Sequence, residues 1–328
     1  MNNRIVTSAC VLCAMLFAIQ RASAQGGSLI PPGTPAPTMI TLNQIEPRTP
    51  ITNTTAVTIS ASGSYYLTAN ITVTNGSAIT ITASQVTLDL NGFTLSSTEA
   101  SPIGTGILLA GGNTDITILN GHIKGGITYS GGVYSGNGFA YGINYSGSIP
   151  LNVLVSRVSV SGCQLGGILL ANNVSIVVES CTVQTIKNYG IVAASVSHSV
   201  AYQCGIIAIS ARTASDCYGS ATLSGNGLIA NAANNCFGQG ENNTGLSVDT
   251  ANNCFGLSTG SGPALSATTA NNCIGQNNGS GTGLNANNIA IGCYGSSSSG
   301  TGLVAFIANS CSGSGTPNYA VVNKYNMP

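Results

Sequence analysis

The sequence has very little charge and no tryptophan. Only 16 of its 328 residues are Lys, Arg, Asp or Glu, about 5%, and the eight positive charges equal the eight negative ones. A globular protein typically carries about 25% charged residues. The missing basic surplus argues against a nucleic-acid partner, because such binding relies on phosphate neutralisation. There are also too few charges to cover long amphipathic helices, so a chain with 43 Gly and many small polar residues indicates a β protein.

The N-terminus has the three parts of a secretory signal peptide. Within residues 1–24, Arg4 supplies the positive start, Val11–Ile19 the apolar run, and Ala22–Ala24 a small-x-small cleavage site. The apolar run is shorter than the roughly 20 residues that span a bilayer, and no later stretch reaches that length. We therefore expect a secreted protein, extracellular or held in the cell envelope (periplasm or cell surface), with no transmembrane segment in the mature chain.

A repeat of about 19 residues occupies the C-terminal half. The motif Ala-x-x-Cys, apolar residue, Gly occurs five times, and a sixth copy has Ser312 in the apolar position. A second series with the same period runs between the cysteines. The two series are Cys217, Cys236, Cys254, Cys273, Cys293 and Cys311, and Ile209, Leu228, Leu246, Leu265, Leu284 and Leu303. Two markers that share one period predict a solenoid.

The composition of the repeat unit indicates a β-solenoid. Gly, Ser, Asn and Thr disfavour helices and suit short strands joined by tight turns, and one Leu per unit is too few for a leucine-rich repeat. Towards the N-terminus, Gly-Ile pairs continue the leucine series at wider spacings, so the coils are longer there. The predicted coil length is about 18–28 residues. The predicted organisation is a Pro-rich extended leader (25–50), an N-terminal cap (51–78), a parallel β-helix (79–315) with an insertion loop (125–148), and a C-terminal cap (316–328).

Several segments resemble a known fold family. VTLDLNGFTL (residues 86–95), DITILNGHIKGG (residues 115–126) and the recurring Gly-Ile pairs resemble the right-handed parallel β-helix repeat proteins of the pectin-lyase-like superfold. Residues 31–51 and 63–72 resemble the start of secreted bacterial β-helix proteins, a group whose function is uncharacterised. The resemblance implies an all-β, single-stranded right-handed parallel β-helix. It implies no particular reaction, because one superfold hosts many functions.

In a parallel β-helix, equivalent residues of successive coils stack into columns about 4.8 Å apart. The Leu series is expected to be interior, and the Asn residues two positions before the cysteines are expected to form an amide ladder. Three interpretations of the cysteine series stay open: small buried apolar residues, disulfides, or metal ligands. Stacked parallel side chains do not readily give a disulfide torsion, and zinc sites want clustered thiolates. The first interpretation is therefore favoured, and no metal or cofactor is predicted.

The residue after each cysteine is large and apolar in five coils: Tyr218, Phe237, Phe255, Ile274 and Tyr294. If strict alternation holds, these side chains point away from the cysteines and form an exposed stripe that marks a partner or glycan surface. If the position lies at a corner, both side chains turn inward. The second alternative is favoured here.

Few residues offer chemistry. Between Arg212 and Lys324 the only charged side chains are Asp216, Glu241 and Asp249, too few and too scattered for the two convergent carboxylates of a glycosidase. The paired Asp and basic clusters of polygalacturonase-like or pectate-lyase-like relatives do not occur. In the N-terminal coils the weak catalytic candidates are Asp115, His122 and Lys124.

The insertion loop concentrates five aromatic residues among Gly and Ser: Tyr129, Tyr134, Phe139, Tyr141 and Tyr145. Either the loop projects and binds sugars or a protein surface, since tyrosine combines an apolar ring with a hydroxyl, or it folds its rings over the solenoid wall. The resulting hypothesis is an exported surface, matrix or adhesion scaffold that binds polysaccharide or cell-surface glycan through this loop. The alternative is a polysaccharide lyase or glycoside hydrolase with an atypical site in the N-terminal coils.

Overall fold

The computed structural model describes residues 46–173 and 175–328, so the predicted signal peptide and most of the predicted leader lie outside the described residues. The described residues form 33 β-strands and no α-helix. Strands form because apolar and polar residues alternate: along Val86–Asp89, buried and half-buried side chains follow one another strictly. Arg48–Pro328 is one compact unit.

The strands are short and evenly distributed along the chain. The first eleven are β1 Thr49–Ile51, β2 Val57–Ile59, β3 Gly63–Leu67, β4 Ile71–Val73, β5 Ile79–Ile81, β6 Val86–Asp89, β7 Thr94–Ser97, β8 Thr105–Ala110, β9 Thr114–Lys124, β10 Thr128–Ser130 and β11 Val133–Ser135. The next eleven are β12 Tyr141–Ser146, β13 Leu151–Ser161, β14 Gly166–Leu169, β15 Ile176–Glu179, β16 Thr182–Ile186, β17 Tyr189–Val192, β18 Ser195–Ser197, β19 Val200–Cys204, β20 Ile207–Ser210, β21 Thr213–Ser215 and β22 Tyr218–Ala221. The last eleven are β23 Asn226–Asn234, β24 Phe237–Gly240, β25 Leu246–Asn252, β26 Phe255–Ser258, β27 Leu265–Asn271, β28 Ile274–Asn277, β29 Leu284–Ile291, β30 Tyr294–Ser297, β31 Leu303–Asn309, β32 Ser312–Ser314 and β33 Tyr319–Tyr325.

Thirty-one strands belong to one sheet that winds into a right-handed parallel β-solenoid. Each strand pairs in parallel with the equivalent strand of the next coil. One interior column can be followed through the solenoid by these pairings: Val57, Ile79, Ile107, Ile143, Ile168, Ile191, Ile209, Leu228, Leu246, Leu265, Leu284, Leu303 and Tyr319. The all-β solenoid predicted from the repeat is confirmed.

The interior column confirms the expected burial of the leucine series. Leu228, Leu246, Leu265, Leu284 and Leu303 have no solvent exposure. Each such side chain contributes about 1.5–3 kcal/mol by removing apolar surface from water. Stacked in register, they give every C-terminal coil the same core contact with the coils above and below.

Both ends of the described chain contribute strands to the solenoid. Strand β1 begins at Thr49, so it includes the last two residues of the predicted leader, and it pairs with β3. Residues 51–78 supply β2, β3 and β4, which pair with the next coil. At the other end, β33 pairs in parallel with β31. The only antiparallel pair of the described strands is β10 with β11, within the predicted insertion.

The solenoid becomes narrower towards the C-terminus. On the wall formed by β7, β16, β19 and β22, the inward-facing column changes from Leu95 through Val183 and Ala201 to a continuous series of glycines. At Gly256, a Cβ would lie 2.2 Å from the Ala264 carbonyl oxygen of the opposite wall. The two backbones are therefore in contact, and no side chain fits between them.

A turn at one edge of this wall repeats in ten successive coils. Its residues all have positive φ, between 48° and 60°, and we call them the turn ladder: Asn120, Arg157, Ser180, His198, Asp216, Asn235, Asn253, Asn272, Gly292 and Ser310. Asn, Asp and Gly dominate because they tolerate this left-handed conformation best. The expected amide ladder lies beside it, since Asn252 donates to Asn234 at 3.0 Å and Asn271 donates to Asn252 at 3.0 Å.

Candidate ligand-binding groove

An outward-facing column lies two residues after the turn ladder and runs through nine coils. We call it the groove column. Its members are His122, Ser159, Thr182, Val200, Tyr218, Phe237, Phe255, Ile274 and Tyr294. At about 4.8 Å per coil, the column extends over a length on the order of 40 Å. Its N-terminal half is polar and its C-terminal half is apolar.

Two cavities open along this column, with volumes of about 380 and 620 Å³. His122, Arg157 and Thr182 are among the residues that line the first, and Tyr218 and Phe237 are among those that line the second. Both cavities are bounded on one side by the turn ladder. They therefore follow one another along the solenoid axis, and we call the shallow surface that contains both of them the groove; Ile274 and Tyr294 continue the column beyond the second cavity. The two volumes are in the range of small-molecule sites.

The rim of the groove is held by hydrogen bonds between neighbouring coils. In the polar segment, Arg157 Nε donates to Asn120 Oδ1 at 2.7 Å, and Asn120 Nδ2 donates to Asp89 Oδ1 at 3.1 Å. In the apolar segment, Asn235 Nδ2 donates to Asp216 Oδ1 at 3.1 Å, and His198 Nε2 lies 3.7 Å from Asp216 Oδ2. These contacts fix the rim while leaving other polar atoms of the side chains available to solvent.

The aromatic residues after the cysteines form a stacked stripe on the outside of the wall. The ring centroids of Tyr218 and Phe237 are 5.0 Å apart with an interplanar angle of 11°, and those of Phe237 and Phe255 are 5.1 Å apart at 7°. Ile274 and Tyr294 continue the stripe with 41% and 39% exposure. The favoured expectation that these side chains turn inward at a corner is therefore wrong, because strict strand alternation holds here.

The insertion forms a hairpin, β10–β11, that lies against the solenoid wall. Tyr134 is buried: its hydroxyl donates to the Gln203 carbonyl at 2.8 Å and shares a 2.6 Å hydrogen bond with Thr222 Oγ1. Burial raises the pKa of Tyr134 well above its usual range. The Tyr129 ring packs on the Tyr134 ring with centroids 4.5 Å apart. The hairpin thus stands beside the groove, on the side away from the turn ladder, where Lys124 and Tyr129 help to line a further cavity.

The five aromatic residues predicted for ligand binding have different environments. Tyr134 and Phe139 are buried, and Tyr145 packs against the core. Tyr129 and Tyr141 are half-buried. Phe139 belongs to the core, and Tyr141 and Tyr145 lie on β12, a strand of the solenoid sheet. Of the five, only Tyr129 lines a cavity beside the groove. Binding through this loop stays a prediction.

The three catalytic candidates lie at different places on β9. Asp115 sits at the start of the strand, where its Oδ1 accepts a hydrogen bond from Asn152 Nδ2 at 2.5 Å. His122 lies beyond the turn-ladder residue Asn120 and lines the groove, and Lys124 lines the cavity under the hairpin. No described hydrogen bond or ion pair joins the three. The part of the chain that the structure describes also contains no group of three or more His, Cys, Asp or Glu side chains that converges on a metal position.

The sequence indicated the apolar half of the groove as a surface, whereas in the polar half it indicated only His122, as a single catalytic candidate. The Cys-aromatic-Gly triplets give a repeating signal in the apolar half. His122, Ser159 and Thr182 share no residue type with that stripe, so only the strand register shows that they extend it. Arg157 carries no local signal at all.

The chain matches no protein-family model, and a comparison with curated proteins finds no match. It resembles the Dettilon tailspike protein (12% identity, TM-score 0.39) over 85% of this chain and 61% of the tailspike, so it spans about three fifths of that protein's length. It also resembles the A-module of mannuronan C-5 epimerase AlgE6 from Azotobacter vinelandii (11% identity, TM-score 0.47) over 81% of this chain and 90% of that one. Tailspike protein 2 of Escherichia coli O157:H7 bacteriophage CAB120 gives 11% identity and a TM-score of 0.22 over 84% of this chain and 37% of that one.

None of the described residues forms a helix long and apolar enough to cross a membrane.

Proposed function

We propose that the protein is an exported β-helix scaffold that binds an extended, largely uncharged glycan along the groove. The observation that carries the proposal is the continuous groove column from His122 to Tyr294, bordered by the turn ladder on one side and, in its N-terminal part, by the hairpin on the other. A long shallow groove with one repeated spacing suits a linear polymer better than a compact ligand.

The chemistry of the groove supports a glycan. Sugar rings carry apolar C–H faces and a rim of hydroxyls, and the groove offers an apolar stripe beside a series of amide and hydroxyl groups. Because Tyr218, Phe237 and Phe255 stack face to face along the axis, their ring edges form the surface that a ligand would contact. The groove column carries no Lys, Arg, Asp or Glu, and the rim charges of Arg157 and Asp216 have opposite signs and hydrogen-bond to Asn120 and Asn235. This balance favours an uncharged polymer over an acidic one.

The proposal is tested by affinity electrophoresis of the purified protein in gels that contain neutral or acidic polysaccharides. We expect retardation by at least one neutral polysaccharide and about tenfold weaker binding for Phe237→Ala, a loss of about 1.4 kcal/mol that is typical of an interface aromatic residue. Phe306→Ala is the matched control, because Phe306 is an aromatic residue with 50% exposure on β31 that lines neither groove cavity.

New chain ends are assayed in the same incubations. Retardation that Phe237→Ala reduces, without new chain ends, supports a binding scaffold. Chain cleavage that Asp115→Asn or Lys124→Ala abolishes would instead establish the lyase or hydrolase alternative. Equal binding by the wild type, Phe237→Ala and Phe306→Ala would contradict the proposal that the glycan binds along the groove.

A further inference from the structure

Six cysteine side chains stack directly beneath the groove. They belong to successive coils, as the registers of the residues on either side show, and we call them the thiol column: Cys217, Cys236, Cys254, Cys273, Cys293 and Cys311. All six are free thiols with at most 3% exposure. The first two also line the groove cavity beside Tyr218 and Phe237, so the column is reached from the groove at its N-terminal end.

Successive thiols occupy equivalent positions in neighbouring coils, each next to a residue whose strand register is fixed. The backbone N–H of Cys254 also points at Cys273 Sγ over 3.5 Å, and that of Cys293 points at the next sulfur over 3.3 Å. These N–H groups can stabilise negative charge on sulfur.

The turn itself does not require sulfur. Each thiol donates to the carbonyl two residues earlier, as Cys254 does to Asn252 at 3.1 Å. One coil before the column, Ser199 occupies the same position, donates to the Ser197 carbonyl at 2.7 Å and accepts a hydrogen bond from the Cys181 N–H at 3.1 Å. Serine therefore satisfies the same groups, and six successive cysteines exceed what the turn requires.

The spacing between successive coils is close to the length of a linear S–metal–S unit. Thiolate is the preferred ligand of soft cations such as Cu(I). With the zinc–thiolate bond length of about 2.3 Å as a guide, a linear S–metal–S unit spans about 4.6 Å. Neighbouring strands are about 4.8 Å apart. Zinc would need four ligands around one point, and the described residues contain no group of even three that converges on one.

We propose that the thiol column binds Cu(I), a soft monovalent cation. Each ion is held linearly between two successive thiolates. Each binding event replaces two S–H protons, which leave to solvent, by one Cu⁺, and the resulting bis-thiolate unit carries one negative charge. A thiolate in a straight column cannot make two opposed metal bonds, because sulfur bonds are strongly angled. Six thiols therefore hold at most three ions. The proposal is independent of glycan binding.

The test is an anaerobic titration of the reduced protein with Cu(I), supplied as its acetonitrile complex in competition with a bathocuproine chelator. Native mass spectrometry is expected to show three ions per chain, and X-ray absorption two sulfur ligands per copper. Cys181→Ser is the first control. Because Ser199 separates Cys181 from the column, this variant should still bind three ions.

Two triple variants test the requirement for neighbouring thiols. Cys236→Ser/Cys273→Ser/Cys311→Ser leaves three isolated thiols in the column and should bind no copper. Cys273→Ser/Cys293→Ser/Cys311→Ser removes the same number of thiols but leaves a contiguous block, and should bind one ion. Circular dichroism checks that both variants keep their β-sheet spectrum.

Equal stoichiometry in the two triple variants, or nitrogen and oxygen ligands in the absorption spectrum, would overturn the proposal. So would a wild-type protein that takes no copper from the chelator. If the alternating variant does not fold, Ser199→Cys decides the question. That change joins Cys181 to the column and makes eight contiguous thiols, so it should raise the stoichiometry from three ions to four, and an unchanged value would refute the proposal.

Discussion

Adding a single methyl group at Gly256 tests whether the C-terminal coils are as narrow as the structure indicates. An ideal Cβ at this position lies 2.2 Å from the Ala264 carbonyl oxygen, 2.6 Å from the Ala264 carbonyl carbon and 2.9 Å from Leu265 Cβ. The obstacle is backbone on the opposite wall, which cannot move aside as a side chain can. The walls would have to separate by about 1.2 Å to reach an ordinary contact of 3.4 Å.

The expected cost of Gly256→Ala is about 3 kcal/mol, at the upper end for an overpacked core. The neighbouring coils hold the two walls at fixed spacing through their hydrogen bonds, so the strain spreads into at least two further coils. At about 2 °C per kcal/mol for a protein of this size, the melting temperature should fall by about 6 °C. The assay is thermal unfolding followed by circular dichroism of the β-sheet signal.

Gly131→Ala is the matched control for this experiment. Gly131 lies between β10 and β11 with φ of 58°, and its Cβ would meet no atom within 4 Å. The control therefore adds the same methyl group and carries only the cost of the left-handed backbone, about 1 kcal/mol. A melting temperature for Gly256→Ala equal to that of Gly131→Ala would refute the narrow-coil explanation.

Two further predictions concern the hairpin and the isolated buried thiols. Tyr134→Phe removes the hydroxyl that anchors the hairpin, so hydrogen exchange at residues 128–135 should become about fivefold to tenfold faster, from a loss of about 1 kcal/mol, and an unchanged exchange rate would contradict the anchoring role. Burial raises the pKa of Cys163 and Cys204 to about 12 and that of Cys181 to about 11, from an ordinary 9.0. The unfolded chain therefore loses these protons first, so stability is complete below pH 9 and falls between pH 9 and 11 by as much as about 1.4 kcal/mol per pH unit for each thiol. Urea unfolding at pH 8 and pH 10 measures this, and the wild type should lose more stability than Cys163→Ala over the same interval.

The fold could be predicted because identical residues mark equivalent positions in the C-terminal coils. The 19-residue spacing of the cysteine and leucine series defines the register without any structure. The N-terminal coils lack such markers, and their interior positions accept Ile, Val or Leu equally, so only the Gly-Ile pairs at Ile107, Ile143, Ile168 and Ile191 connect them to the repeat. The position of the insertion followed from the extra length of one coil. The direction of its aromatic rings did not, because a ring can cover a wall or project from a loop with the same sequence.

The polar half of the groove could not be predicted, because what its residues share is position and not residue type. His122, Ser159 and Thr182 become one surface only when the strands that carry them are paired. Arg157 joins them through the turn ladder, at a position where most other coils have Asn, Asp, Gly or Ser. A sequence scan for repeats discards such exceptions, although they distinguish one part of a repetitive surface from another.

The exposure of the aromatic stripe follows from the same narrowness that Gly256→Ala tests. Where Gly256 and its equivalents touch the opposite backbone, the coil has no interior volume for a ring, and even the residue at the turn is limited to the size of a cysteine. Large apolar side chains can then be accommodated only on the outside of that wall. The Cys-aromatic-Gly triplet thus encodes a small inward residue, a large outward residue and an inward position with no side chain. The exposed aromatic stripe and the small size of the turn residue are therefore two consequences of one constraint, which is why the stripe and the small turn residues occupy the same C-terminal coils. Because Ser199 fits the same turn, the constraint sets the size of that residue and does not select sulfur.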